Sequence, residues 1–111
     1  MIIIDESQLL KGILEGCVLS IISRGENYGY EILLTLKKYG FKDIYEGTLY
    51  PILTRMEKKG IIICRIAKSP LGPKRKYYSI TNEGEKYYEN FKVVFKEITS
   101  NTNDIINAES L

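Results

Sequence analysis

The chain has 111 residues, with sixteen Lys/Arg against fourteen Asp/Glu, two cysteines and no histidine. That length gives room for one domain, or a small domain plus one extended element, and no segment approaches the ~20 apolar residues of a membrane span. Two cysteines are too few for a structural zinc site, the missing histidine removes the commonest general base, and no Ser, Cys or Asp stands beside a partner that would activate it, so an enzyme, a metal and a bound cofactor are all disfavoured. Cys17 and Cys64 lie inside apolar runs, as free thiols of a reducing cytoplasm do. Met1 to Ile4 is apolar, but Asp5 and Glu6 interrupt it at once, which does not suit a signal peptide.

The first predicted element is a helix from Ser7 to Ser23, on an apolar stripe of Leu9, Leu10, Ile13, Leu14, Cys17, Val18, Ile21 and Ile22. Gly12 and Gly16 inside it each carry a penalty of roughly 1 kcal/mol and suggest close approach of another helix backbone. Arg24 to Asn27 reads as a turn with Asn27 as the N-cap of a second helix, Tyr28 to Tyr39, which stops at Gly40. After a loop from Phe41 to Tyr45 comes the segment GTLYPILTRMEKKG, Gly47 to Gly60. Leu49, Ile52, Leu53 and Met56 fall at i, i+3, i+4 and i+7 and face a core. The opposite face carries Gly47, Pro51, Thr54 and Lys58, flanked by Tyr50 and Arg55, and has no carboxylate at its centre. Pro51 presses on the carbonyl of Gly47, so either the first turn is bent or the helix starts late.

Ile61 to Ile66 is β-branched and reads as a strand, Lys76 to Ile80 as its partner, and Lys68 to Arg75 as the loop between them, with two prolines and a glycine. Thr81 caps a last helix with Glu83 and Glu85 in its first turn, reaching at least Ile98. Gly84, Tyr88, Phe91, Phe95, Ile98, Thr102 and Ile105 alternate four and three apart along it, a heptad seam widened by Tyr87, Val94 and Ile106. Such a stripe calls for a partner helix. Beyond Thr99 the run of Ser, Asn, Thr and Asp has poor helix propensity and is expected to fray.

Charge is concentrated. Residues 37–76 hold eleven Lys/Arg against three Asp/Glu, a net +8, while residues 1–36 and 77–111 each sum to −3. Phosphate contacts need that local density rather than a high average. A cationic, donor-rich helix after a short helix, followed by a strand and a Lys/Arg-bearing hairpin, reads as a winged helix-turn-helix: a mainly α (α+β) fold with a two-stranded wing, residues 1–81, and a long C-terminal dimerisation helix, residues 82–111. The partners expected are double-stranded DNA and a second copy of the chain, with no membrane. The alternative is a winged-helix dimer serving protein–protein contact without DNA.

LLKGILEGCVLSIIS, YGYEI at Tyr28 to Ile32, GTLYPILTRMEKKGII and PKRKYYSITNEG at Pro73 to Gly84 together resemble the PadR family of transcriptional regulators, over about Leu9 to Phe95. The resemblance implies a homodimeric repressor of the short branch, with one long helix after the wing, paired through the last helix and the partner's first helix. It places Leu10 and Leu14 with Tyr88, Phe91, Phe95 and Ile98 at the pairing surface. It turns Tyr28, Gly29, Thr48, Tyr50, Pro51, Arg55, Lys74 and Arg75 towards DNA, beside Thr54 and Lys58 from the face described above. Family wings commonly read Gly-Gly-Arg-Pro-Arg-Lys; here Leu71 to Arg75 has fewer glycines and displaces the first basic residue. Relatives respond to small hydrophobic compounds, and Tyr87, Tyr88, Phe91 and Phe95 are candidates to line an effector cavity between subunits, or plain interface core.

Overall fold

The structure, a computed structural model, describes residues 2–111. The expected first helix is two. Helix α1 runs Glu6–Leu10, capped by Asp5, whose carboxylate accepts from the Ser7 N–H at 3.1 Å. After Lys11 and Gly12 the chain resumes as α2, Ile13–Ser23. The break falls at Gly12, where the backbone gains least from helical order.

Asn27 does not cap the second helix. Asn27–Tyr28 form a short strand, β1, and the carboxamide Oδ1 of Asn27 is buried without a hydrogen-bond partner among the described residues. Helix α3 then spans Gly29–Lys38 and ends as expected, with Gly40 at φ 109° and the Phe41 N–H donating to Leu36 O at 3.1 Å. Helix α4 runs Glu46–Lys58 with Pro51 inside it, so the late start is excluded. Lacking an N–H, Pro51 leaves the Gly47 carbonyl without its helical donor.

Strands β2, Ile62–Lys68, and β3, Lys74–Ile80, pair antiparallel from Ile62↔Ile80 to Lys68↔Lys74. The turn between them is shorter than predicted, and Lys74 and Arg75 belong to the strand. The sheet has three strands rather than two, in the order β1-β3-β2, because Asn27 and Tyr28 pair with Tyr78 and Tyr77. Two paired residues are too few to leave a periodic trace in sequence. Helix α5 covers Asn82–Ile106, with the Thr81 hydroxyl accepting from the Gly84 N–H at 3.0 Å. The expected fraying past Thr99 does not occur: the Thr99 and Thr102 hydroxyls donate to Phe95 O and Ile98 O, so these residues satisfy their polar groups within the helix.

The core forms where α2, α3 and α4 meet β2 and β3. Val18, Leu19, Ile32, Leu53 and Met56 are fully buried, and Leu49 and Ile52 complete the apolar face predicted for α4. Each such side chain contributes about 1.5–3 kcal/mol on burial. No helix among the described residues is long and apolar enough to cross a membrane.

Two expectations for the pairing surface change. Leu14 is 3% exposed and belongs to the chain's own core, with Leu10 packed against it, so Leu14 has almost no surface left for a partner. On α5, Gly84 lies against the Ile61 carbonyl, the Phe91 ring covers Gly16, and the Tyr88 hydroxyl donates to Ser20 Oγ at 2.9 Å. The first turns of α5 are therefore intramolecular. The cause is Gly16, which admits an aromatic side chain of α5 rather than the helix backbone anticipated. Beyond Lys92 the helix stands clear, with Val94, Phe95, Ile98, Ile105 and Ile106 exposed.

Candidate nucleic-acid interface

The cationic face of α4, the start of α3 and the turn end of β3 converge on one surface. Tyr50 is the joint. Its ring lies over the first residue of α3, so that a Cβ on Gly29 would stand 2.7 Å from the hydroxyl and push the ring aside. On one side of Tyr50, a shallow hollow is bordered by Pro51, Thr54, Arg55 and Lys58. On the other, a second hollow is bordered by Tyr28, Gly29, Tyr30, Lys74, Arg75 and Lys76. Burial first, and the nearby Glu46 carboxylate second, push the Tyr50 hydroxyl up from its ordinary pKa, which keeps it a neutral donor.

Helix α3 begins on Tyr28 with no side-chain cap, and its first residues, Gly29 and Tyr30, border the hollow that holds the three basic residues. Of the three, Arg75 is positioned by stacking. The Arg75 guanidinium sits 4.4 Å from the centre of the Tyr28 ring, Tyr28 lies 5.9 Å from Tyr77, and Arg65 covers Tyr77 at 4.8 Å. Arg65 ends the row by donating twice to Glu26, both at 2.6 Å. These hydrogen bonds hold the Glu26 carboxyl below the usual carboxylate range. Each exposed cation–π contact is worth about 0.5–1 kcal/mol, so the row orders Arg75 without immobilising it.

Nine of the ten residues singled out for DNA therefore border or approach one surface, with Gly29 and Tyr50 in mutual contact. Thr54 folds its hydroxyl back onto Tyr50 O at 3.0 Å, and Thr48 is half-buried. Arg55 differs from its expected free state. It borders the hollow, but its guanidinium donates to Glu15 Oε2 through Nε at 3.3 Å and Nη2 at 3.2 Å. Glu15 is itself buried on α2.

Two residues escaped the sequence reading. Tyr30 borders the wing-side hollow beside Lys76. Glu15 left one signal: it is the sole acidic residue in the apolar stripe from Leu9 to Ile22.

The comparisons agree with this geometry. The model of the transcriptional regulator PadR-like family matches residues 18–90. The structure is similar to a crystal structure of a PadR-like transcriptional regulator from Bacillus cereus, at 46% identity and TM-score 0.81, covering 92% of this chain and 99% of that one. A Streptococcus transcriptional regulator is similar at 44% identity and TM-score 0.80, with 90% and 98% covered. An uncharacterized protein of Lysinibacillus sphaericus is 36% identical over 83 residues, 73% of this chain and 76% of that one. Motifs, winged-helix fold and relatives coincide, and the chain belongs to the PadR-like family of transcriptional regulators.

Proposed function

We propose that this regulator is a repressor that binds a pseudo-palindromic operator as a homodimer in the cytoplasm. The observation that carries the reading is the surface joined by Tyr50, where the start of α3, the exposed face of α4 and the basic strand of the wing converge. On this reading Tyr50, Pro51, Thr54 and Lys58 meet the groove, with Thr48 half-buried outside the two hollows, and Lys74 and Arg75 meet phosphates. Residues 1–81 serve as the DNA unit and residues 82–111 as the pairing helix, whose early turns rest on that unit. Pairing uses Phe95 and Ile98, exposed on the single chain. Release by a small hydrophobic effector would rest on Val94 and Phe95, since Tyr88 and Phe91 are turned onto α2. The alternative, a winged-helix interaction module without DNA, calls for an acidic α4 face, and α4 has no carboxylate between Glu46 and Glu57.

The test is a gel-shift with the DNA upstream of the protein's own gene, followed by footprinting with permuted half-site spacers. Tight binding lost when half a helical turn is inserted is the expected result. Equal, weak binding to every duplex overturns the operator reading. Lys74→Ala and Arg75→Ala should each lower the slope of log K against log salt by close to one unit and weaken all sequences alike.

A further inference from the structure

The buried carboxylate of Glu15 joins three helices. Its Oε2 accepts from Arg55 through Nε and Nη2, at 3.3 and 3.2 Å, and its Oε1 accepts from Lys59 Nζ at 3.3 Å and from the Tyr87 hydroxyl at 3.4 Å. Arg55 lies in the last turn of α4 and Lys59 is its C-cap, while Tyr87 belongs to α5 and Glu15 to α2. The Lys59 ammonium also lies 5.7 Å from the centre of the Tyr87 ring. A buried carboxylate needs partners of this kind, and losing one leaves an uncompensated charge. None of these contacts is required to close the apolar core beneath α4, whose face is already complete with Leu49, Ile52, Leu53 and Met56.

We infer that Glu15 is a positioning residue for the recognition helix: it withholds the Arg55 cation from nucleic acid and, through Tyr87, ties that hold to the place of α5. Two consequences separate this role from plain packing. First, Arg55 borders the proposed DNA surface but adds little to phosphate binding, whereas Lys58, three residues on and without an acidic partner among the described residues, adds its full share. Second, loosening the Tyr87 contact frees Arg55 in part, so a change in α5 is felt at α4. The inference deepens the DNA-binding reading and rests on it for its binding arm alone.

The experiment has two arms. In the first, without DNA, the Arg55 Nε–H signal of the full chain is followed by NMR. It should be sharp and slowly exchanging, move to the position of a free guanidinium in Glu15→Gln, and shift part of the way in Tyr87→Phe. A signal indifferent to both substitutions overturns the inference. In the second arm, salt slopes are measured on one duplex. Arg55→Gln should leave the slope nearly unchanged and Lys58→Gln should lower it by about one unit. Glu15→Gln should steepen it by about one unit, and adding Arg55→Gln should take that gain away. If Arg55→Gln alone lowers the slope as much as Lys58→Gln does, Arg55 is already free and the inference falls. A merely structural role would lower the melting temperature and weaken binding together, the opposite of a steeper slope. Should Glu15→Gln fail to fold, the Arg55→Gln and Lys58→Gln pair still decides. Absence of any duplex binding at low salt removes the DNA reading, while the NMR arm goes on to uphold or overturn the Glu15 contact network.

Discussion

Tyr78 is the buried aromatic of β3, 3% exposed, and burial pushes its hydroxyl up to about 12. In the unfolded chain a tyrosine ionises near pH 10. Between those values the folded state holds a proton that the unfolded state has released, so the contribution is complete below pH 10 and disappears as pH rises through 12. Chemical denaturation at pH 9 and pH 11 should therefore show falling stability, and Tyr78→Phe should flatten the fall. Tyr50 shifts in the same direction, so some slope remains. Lys68 carries a different kind of strain. It pairs directly with Lys74 across the hairpin, and like charges so placed repel. Lys68→Glu should stabilise the hairpin by about 0.2–1 kcal/mol while weakening DNA binding, since it subtracts positive charge from the wing. A thermal melt and a salt titration read the two signs. If binding is unchanged, the wing's tip does not approach DNA.

At the scale of elements, α5 is fastened by its first turns. Thr81 donates its hydroxyl to Gly60 O at 2.7 Å and its N–H to Ile61 O at 3.2 Å, and Gly84 packs on that same Ile61 carbonyl. Gly84→Ala would drive a methyl group into backbone, which cannot yield as a side chain does. A loss of about 1–3 kcal/mol in denaturant unfolding is expected, and a neutral result would show that α5 is not anchored there. Elements of this size differ in how legible they were in sequence. The buried face of helix α4 could be read completely because Leu49, Ile52, Leu53 and Met56 repeat within one helix, although its start could not. Strand β1 could not, because its two residues become a strand only when β3 arrives. The Arg55–Glu15 contact was equally hidden, since nothing local joins two residues forty apart. The heptad seam on α5 was read as one surface, but a single small residue on α2, Gly16, divides it into an inward half and an outward half.

For the whole molecule, the outward half is what remains for association. Ile98 is 57% exposed and Phe95 38%, on a helix that stands clear of the winged unit. Sedimentation at micromolar concentration should give twice the chain mass, and Ile98→Asp should return it to one chain mass without unfolding the winged unit. An unchanged dimer would locate the seam elsewhere. The winged unit has its own closure. Within the sheet, among the described residues, β1 pairs with β3 alone, so the pairing of Asn27 with Tyr78 and of Tyr28 with Tyr77 encloses α3, α4 and β2 within one loop of chain. This arrangement dictates an order of folding. The β2–β3 hairpin joins segments near in sequence and can form early, whereas β1 has no partner until β3 is in place, and closing so long a loop comes late. In refolding kinetics, substitutions at Cys64 or Ile66 should slow folding, and Tyr28→Ala should chiefly speed unfolding. On that order the hairpin forms before the strand that ties α3 to the wing, and a chain stopped short of Tyr78 would contain the exposed residues of α4 without β1 paired beside them.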